Sequence, residues 1–278
     1  MISATRYRAL AETHRQTDLA KQIAKLQESV STGKRLTRPS DDPEASLRIS
    51  EIRQTQADQV VWANNIKMGV SISTAVDTKL GVVADTLDRA KELVLSGRND
   101  TTSATDRAAI AAELRLLAAD LDSDAQANDP TGAPLFPAGT PLSIPVSDTL
   151  GLPATASRVE VFDTVSTAAG TKSLRQILTD AADAVEGTSV ARATDIQLSL
   201  SEIDAGSTHL TKVRTDQGVR AGRFDDAKQQ IESSDQNLSE ERVGLESTDL
   251  TYALAEFQSK QVALQAAQTV FAQANKTS

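Results

Sequence analysis

The chain contains no cysteine, which rules out disulfides, thiolate metal ligands and a cysteine nucleophile. Aromatic residues are nearly as scarce, with five Phe, two Tyr and one Trp among 278 residues. Thick globular cores draw heavily on aromatic rings, each of which buries a large area. An apolar content supplied mainly by Ala, Leu, Val and Ile instead points to slender helix-on-helix packing. The two histidines, His14 and His209, lie far apart, with no second acid or histidine at metal-ligand spacing, so zinc chemistry is not expected. Nowhere does the chain approach the roughly 20 consecutive apolar residues that a membrane helix needs. Residues 1–30 hold no apolar run resembling the core of a cleaved signal peptide.

Positive charge is also in deficit. The net charge of −9 argues against nucleic-acid binding, which requires a basic surface to displace counterions from phosphates. The deficit is uneven, because residues 1–40 carry eight Lys or Arg against Glu12, Asp18 and Glu28. A basic start on an acidic body suits head-to-tail contact between copies.

What the chain has in abundance is heptad spacing. Leu19, Ile23, Leu26 and Val30 form one narrow stripe, a coiled-coil seam. The segment Arg38, Pro39, Ser40, Asp41, Asp42, Pro43 must end that first helix, since two prolines bracket a polar run. Asp41 or Asp42 is expected to cap a second helix with Pro43 in its first turn and Glu44 at its positive end. This helix should run from about 44 to 95, and a third from about 105 to 127. Residues 130–153 hold Pro130, Pro134, Pro137, Pro141, Pro145 and Pro153, a density no helix survives. Leu135, Phe136, Leu142, Ile144 and Val146 there, followed by Val159, Val161, Phe162 and Val165, read as short strands in an exposed insertion.

Helix is expected again near Ser173, with a break around Gly187. Then Ile196, Ile203, Leu210, Gln217, Phe224, Ile231, Leu238 and Leu245 fall every seven residues, Gln217 alone being polar. That is one very long helix of a left-handed supercoil. A second series, Leu250, Phe257, Leu264 and Phe271, reinforced by Leu254, runs in a shifted phase. The shift places a joint near Ser247, Thr248 and Asp249, with Ser247 or Thr248 as the expected cap. The fold class is therefore mainly α: a long antiparallel helical coiled-coil rod with a small β-rich insertion at its tip. Residues 1–43 and 247–278 would form a terminal coiled-coil assembly region, 44–128 and 173–246 a helical rod domain, and 129–172 the Pro/Gly-rich β insertion. A two-helix contact buries only part of each side chain, so the terminal pair is expected to order fully only when copies pack together.

The stretch Ser31, Thr32, Gly33, Lys34, Arg35, Leu36, Thr37 followed by Arg38–Pro43 resembles the amino-terminal signature of the hook-filament junction proteins within the flagellin superfamily. Flagellins carry a similar run more distantly, with an Asp-Asp-Ala step where this chain has Asp41, Asp42, Pro43. Asp249, Leu250, Thr251, Tyr252, Ala253, Leu254 and Gln261, Val262, Ala263, Leu264, Gln265, Ala266, Ala267 are similar to the same family's final helix. Gly132, Ala133, Pro134, Leu135, Phe136 and Gly139 resemble the loop into its small β-rich domain. Relatives commonly end in a short apolar tail, whereas the last residues here are Asn275, Lys276, Thr277 and Ser278.

The resemblance implies a flagellin-type rod, uncleaved export through the flagellar type III apparatus, and an extracellular place at the hook-filament junction. It implies as partners further copies of the chain in a ring, hook-associated protein 1, flagellin and an export chaperone, and neither cofactor nor membrane insertion. The assembly interface would comprise Leu19, Ile23, Leu26, Val30, Leu250, Leu254, Phe257, Leu264 and Phe271. A minor flagellin or a flagellin-like surface adhesin is the alternative, with Phe136 and Phe162 as the insertion's one aromatic pair. No nucleophile, base and orienting group converge to suggest an enzyme, and the glycines at 206, 218, 222 and 244 make no phosphate-binding loop.

Overall fold

The computed structural model describes residues 2–99, 101–129, 132–188 and 190–276. Pro130, one of the insertion's prolines, lies outside them, as do Thr277 and Ser278. The chain order is α1 (Ile2–Thr32), α2 (Pro43–Gly97), α3 (Ala104–Ala125), β1 (Ser143–Pro145), β2 (Gly151–Pro153), β3 (Val165–Thr167), β4 (Gly170–Lys172), α4 (Leu174–Glu186), α5 (Arg192–Glu246) and α6 (Leu250–Lys276). Contacts divide the chain into two compact units, residues 1–58 with 233–278, and residues 59–232. The division falls inside α2 and α5, whereas the sequence reading set it at the loops near 43 and 247.

In the larger unit, α2 and α5 run antiparallel. Cross-pairs advance along one helix as they recede along the other: Lys91 to Asp204 at 2.6 Å, Asp77 to Arg214 at 3.4 Å, and the Phe224 ring over Gly69. The buried stripe of α2, Val76, Leu80, Val83, Leu87, Ala90 and Val94, steps by three and four, which keeps one face turned inward. Ile196, Ile203, Leu210, Gln217 and Phe224 of α5 are buried at heptad spacing. Helices α3 and α4 pack on each other and close the same core through Leu114, Leu121, Leu174, Ile177 and Leu178. Each is capped by a serine: Ser103 accepts from the Asp106 amide and Ser173 from the Gln176 amide, each satisfying one of the N–H groups a helix start leaves unpaired.

The insertion forms two antiparallel hairpins, β1 with β2 and β3 with β4. Alternation turns Ile144 and Leu152 inward, where they meet Ile66, Val70, Phe224 and Ile231. The β1–β2 hairpin therefore folds back along α2 and α5, and does not cap the far end of the pair. Apolar side chains on a short hairpin need a covering surface, and the helix pair supplies one. Asn65 donates to the Pro145 carbonyl at 2.9 Å, and Ser73 and Gln217 both donate to the Ala154 carbonyl, at 3.2 and 2.8 Å.

Val159, Val161 and Phe162 do not form a strand, contrary to the sequence reading. Val159–Asp163 is a π-helical turn. His209 Nε2 lies 3.0 Å from the Glu160 carbonyl and 3.2 Å from that of Val161. Since both partners are acceptors, Nε2 carries the proton and fastens the turn to α5. Val161 and Phe162 face the core, with Phe162 edge-on to Phe136 at 5.2 Å. Lys172 ties the second hairpin down, 2.7 Å from Asp180 and 2.7 Å from the buried Glu202. Burial pulls the ammonium's pKa down, but hydrogen bonds to the two carboxylates outweigh it and the net shift is upward.

Candidate assembly surface

In the smaller unit α1 pairs with α6. The end of α1 meets the start of α6 through a hydrogen bond from the Thr248 amide to the Gly33 carbonyl, and Gln16 further back donates to the Ala267 carbonyl. The two helices are thus antiparallel. Leu19, Ile23, Leu26 and Val30 lie half-buried along α1, and Phe257, Leu264 and Phe271 along α6. Among those residues of the pair whose side chains are described, only Ser29 and Ala253 are buried. The seam thus leaves much of its apolar surface in water, and its stabilisation falls well short of the roughly 1.5 to 3 kcal/mol per fully buried side chain.

Two of the residues expected on the seam stand off it. Leu250 opens α6, ahead of Ala253, and is 53% exposed; Leu254, turned away from the Ala253–Phe257 face, is 47% exposed. Tyr252, Val262 and Val270 are also exposed on α6, as are Tyr7 and Leu10 on α1. The terminal helices therefore present apolar side chains both toward each other and outward. Heptad spacing located the first set. Of the second set, Leu250 and Leu254 belong to that same pattern, whereas Tyr7, Leu10, Tyr252, Val262 and Val270 lie outside it.

The segment between α1 and α2 is built rather than loose. Gly33 adopts φ of 69°, the left-handed region open to glycine at little cost, and turns the chain out of α1. The next residues lie beside the joint between α5 and α6: Lys34 bridges Ser247, the Arg35 amide donates to the Glu246 carbonyl at 2.8 Å, and the Arg35 guanidinium reaches the Leu245 carbonyl at 3.2 Å. These contacts satisfy carbonyls that the end of α5 would otherwise leave unpaired.

Asp41 and Asp42 divide the remaining work. Asp42 Oδ1 accepts from the Ala45 amide and is the cap of α2. Asp41 folds the loop: one oxygen accepts from the Thr37 and Arg38 amides, the other from Lys25 Nζ at 2.7 Å. The Lys25 bond, with help from the backbone donors, holds the Asp41 carboxyl down at about 2. Arg38, Pro39 and Ser40 are left exposed at the apex. At the α5–α6 joint the cap is Asp249, whose Oδ1 accepts from the Thr251 and Tyr252 amides at 2.9 and 3.1 Å. Ser247 and Thr248, the caps expected from the sequence, are held instead against Lys34 and Gly33.

Arg48 braces the first turns of α2 against the last turns of α5, with Nε 2.6 Å and Nη2 2.9 Å from the two oxygens of Glu241. This bidentate fork lowers the Glu241 pKa below its ordinary value. Among the described residues no group of three or more His, Cys, Asp or Glu side chains could hold a metal, and no helix is long and apolar enough to cross a membrane.

Comparison with known proteins bears on both ends of the chain. The family model of the bacterial flagellin N-terminal helical region matches residues 4–137, and that of the C-terminal helical region matches residues 200–278. A flagellar filament 30.7 kDa core protein of Treponema maltophilum is 26% identical over 249 residues, 89% of this chain and 87% of its own length. The flagellar hook-associated protein 3 of Salmonella typhimurium is 32% identical over 112 residues, 40% of this chain and 35% of that protein. Among solved structures, the flagellar junction protein of Legionella pneumophila has the same fold, with a TM-score of 0.58 at 14% identity over 72% of this chain and all of that one. With paired terminal helices of flagellin type at both ends and the family's helical regions spanning most of its length, the chain belongs to the flagellin superfamily and is a structural protein of the bacterial flagellum.

Proposed function

We propose that this chain is the junction subunit of the flagellum, a ring-forming adaptor that joins hook-associated protein 1 to the flagellin filament outside the cell. The observation that carries this reading is the Arg38–Pro43 segment. Two prolines bracket a loop that Lys25 and Asp41 pin to α1 and that backbone bonds fasten to the α5–α6 joint. The match to hook-associated protein 3 of Salmonella typhimurium supports it. The half-covered seam of α1 with α6 supports self-association, because side chains left in water by the monomer are buried when copies pack. Leu19, Ile23, Leu26, Val30, Phe257, Leu264 and Phe271 would stabilise the pair, while Leu250 and Leu254 would meet neighbouring subunits. Uncleaved export, with a chaperone covering the carboxy-terminal helix, follows from the same reading, and the role is that of a scaffold, not a catalyst.

A minor flagellin is the second reading, favoured by the near full-length similarity to a Treponema filament core protein. An adhesin loses support, because Phe136 and Phe162 pack in the core at 2% and 4% exposure and offer no platform to a ligand.

Deleting the gene in the source bacterium and imaging its flagella separates the readings. The junction role requires hooks without filaments and flagellin lost to the medium. Filaments of normal number would leave the minor-flagellin reading standing.

A further inference from the structure

We propose that a groove beside the signature loop, rimmed by Lys34, Arg38 and Arg53, docks the acidic face of α2 of a second copy, carrying Asp85, Asp88 and Glu92. The inference rests on the self-association described above and specifies its electrostatics. Apolar Leu36, Pro39 and Ile49 line the groove, as does Glu246, which Arg53 engages. Its rim differs from the surrounding surface in one respect. Neighbouring cations are matched within the chain, Lys25 to Asp41, Arg35 to Asp42 and Arg48 to Glu241. Lys34 and Arg38 are exposed, and among the described residues neither side chain has an acidic or hydrogen-bonding partner; Arg53 meets Glu246 but stays 63% exposed.

The proposed occupant is complementary. Asp85, Asp88 and Glu92 follow one another by three and four residues, so they share one exposed face of α2. Among the described residues no ion pair engages Asp85; Asp88 lies near enough to Lys91 to help raise its pKa without forming a close pair, and Glu92 shares Arg89 with Glu113 while remaining 71% exposed. Val82 and Leu95 flank the acids, each 43% exposed. Exposed carboxylates, Asp85 among them without an ion pair, thus face Lys34 and Arg38, each surface carrying apolar side chains as well. Because the two patches are different, the contact is heterologous: it passes from copy to copy and builds a ring or helix instead of closing into an isolated pair. Like charges brought together in a mismatched packing would be penalised, which sets register.

The test uses full-length chains expressed in the deletion strain. Lys34→Glu with Arg38→Glu should be exported and retain wild-type helicity by circular dichroism, yet lower the number of attached filaments about tenfold or more. The charge-preserving pair Lys34→Arg with Arg38→Lys should support filaments at the wild-type level. Adding Asp85→Lys and Asp88→Lys to the reversed chain should restore attachment, since every groove then meets a face of opposite sign. Full attachment by the reversed variant, equal damage from the charge-preserving variant, or failure of the swap to restore would each overturn the proposal. A deletion strain that keeps its filaments would instead overturn the junction role itself, so the two failures are distinguishable.

Discussion

The ring of Phe224 fills the space that Gly69 leaves by lacking a side chain: a Cβ at position 69 would stand 2.6 Å from the ring's Cζ atom. Gly69→Ala should gain up to about 1 kcal/mol of helix propensity, but the fully buried ring has no room to withdraw. Overpacking should win and destabilise the protein by about 1 to 3 kcal/mol. Urea unfolding would measure the loss, and Phe224→Leu in the Gly69→Ala background should recover part of it. Additive losses would mean that the ring and the glycine are not coupled.

Acid should loosen the signature loop before neutral conditions do. The Asp41 pKa is depressed to about 2, chiefly by Lys25. The stability this carboxylate contributes is present above its unfolded pKa near 3.8 and is lost as pH falls toward 2. The difference in unfolding midpoint between wild type and Asp41→Asn should be constant from pH 5 to 8 and shrink between about pH 4 and 2. A gap that stays constant down to pH 2 would contradict the Lys25 assignment.

Gln217 is the polar member of an apolar heptad series, and its Nε2 shares the Ala154 carbonyl with Ser73. Gln217→Met should therefore cost only about 1 kcal/mol, because Ser73 still satisfies the carbonyl. Adding Ser73→Ala leaves a buried acceptor without a donor and should cost about 1 to 3 kcal/mol more, exceeding the sum of the single changes. Chemical denaturation of the four proteins forms the cycle.

Phe257 and Leu254 are three residues apart on α6 and should behave differently. Phe257→Asp puts a charge on the α1 seam, so limited proteolysis should cut the terminal helices faster than in wild type. Leu254→Asp alters an outward side chain, 47% exposed, and should leave the isolated chain's stability within about 0.5 kcal/mol. If Leu254 meets a neighbouring subunit, that variant should nevertheless fail to attach filaments. Normal attachment would remove Leu254 from the assembly surface.

Helices were legible wherever a stripe repeated over several turns and a proline, glycine or aspartate punctuated it. Pro43, Gly97 and Ser173 stand where such signals placed them. The π-turn at Val159–Asp163 was not legible, since alternating valines suit a strand equally well and His209, which holds the turn, lies 48 residues from Val161. The cap of α6 was misassigned for a similar reason: Ser247, Thr248 and Asp249 are all competent caps, and the choice is made by Lys34 and Gly33, which occupy the first two. On α6, the half-buried Phe257, Leu264 and Phe271 lie where periodicity places an apolar stripe. Leu250 and Leu254 fit the same series but emerge on the water side, because burial depends on where the partner helix lies. The unmatched charges of Lys34 and Arg38 could not be read at all, as pairing is a property of three-dimensional neighbours.

The β1–β2 hairpin ends in an exposed turn at Ser147–Leu150, closed by the Val146 amide on the Leu150 carbonyl at 2.9 Å, while Ile144 and Leu152 anchor its strands to the helices below. A foreign peptide spliced between Asp148 and Thr149 would enlarge a loop whose two ends are already fixed, and each doubling of loop length costs only about 0.6 kcal/mol. That turn is thus a natural place to graft a tag or epitope for display on the flagellum, with the strands on either side insulating the helical core from the cargo.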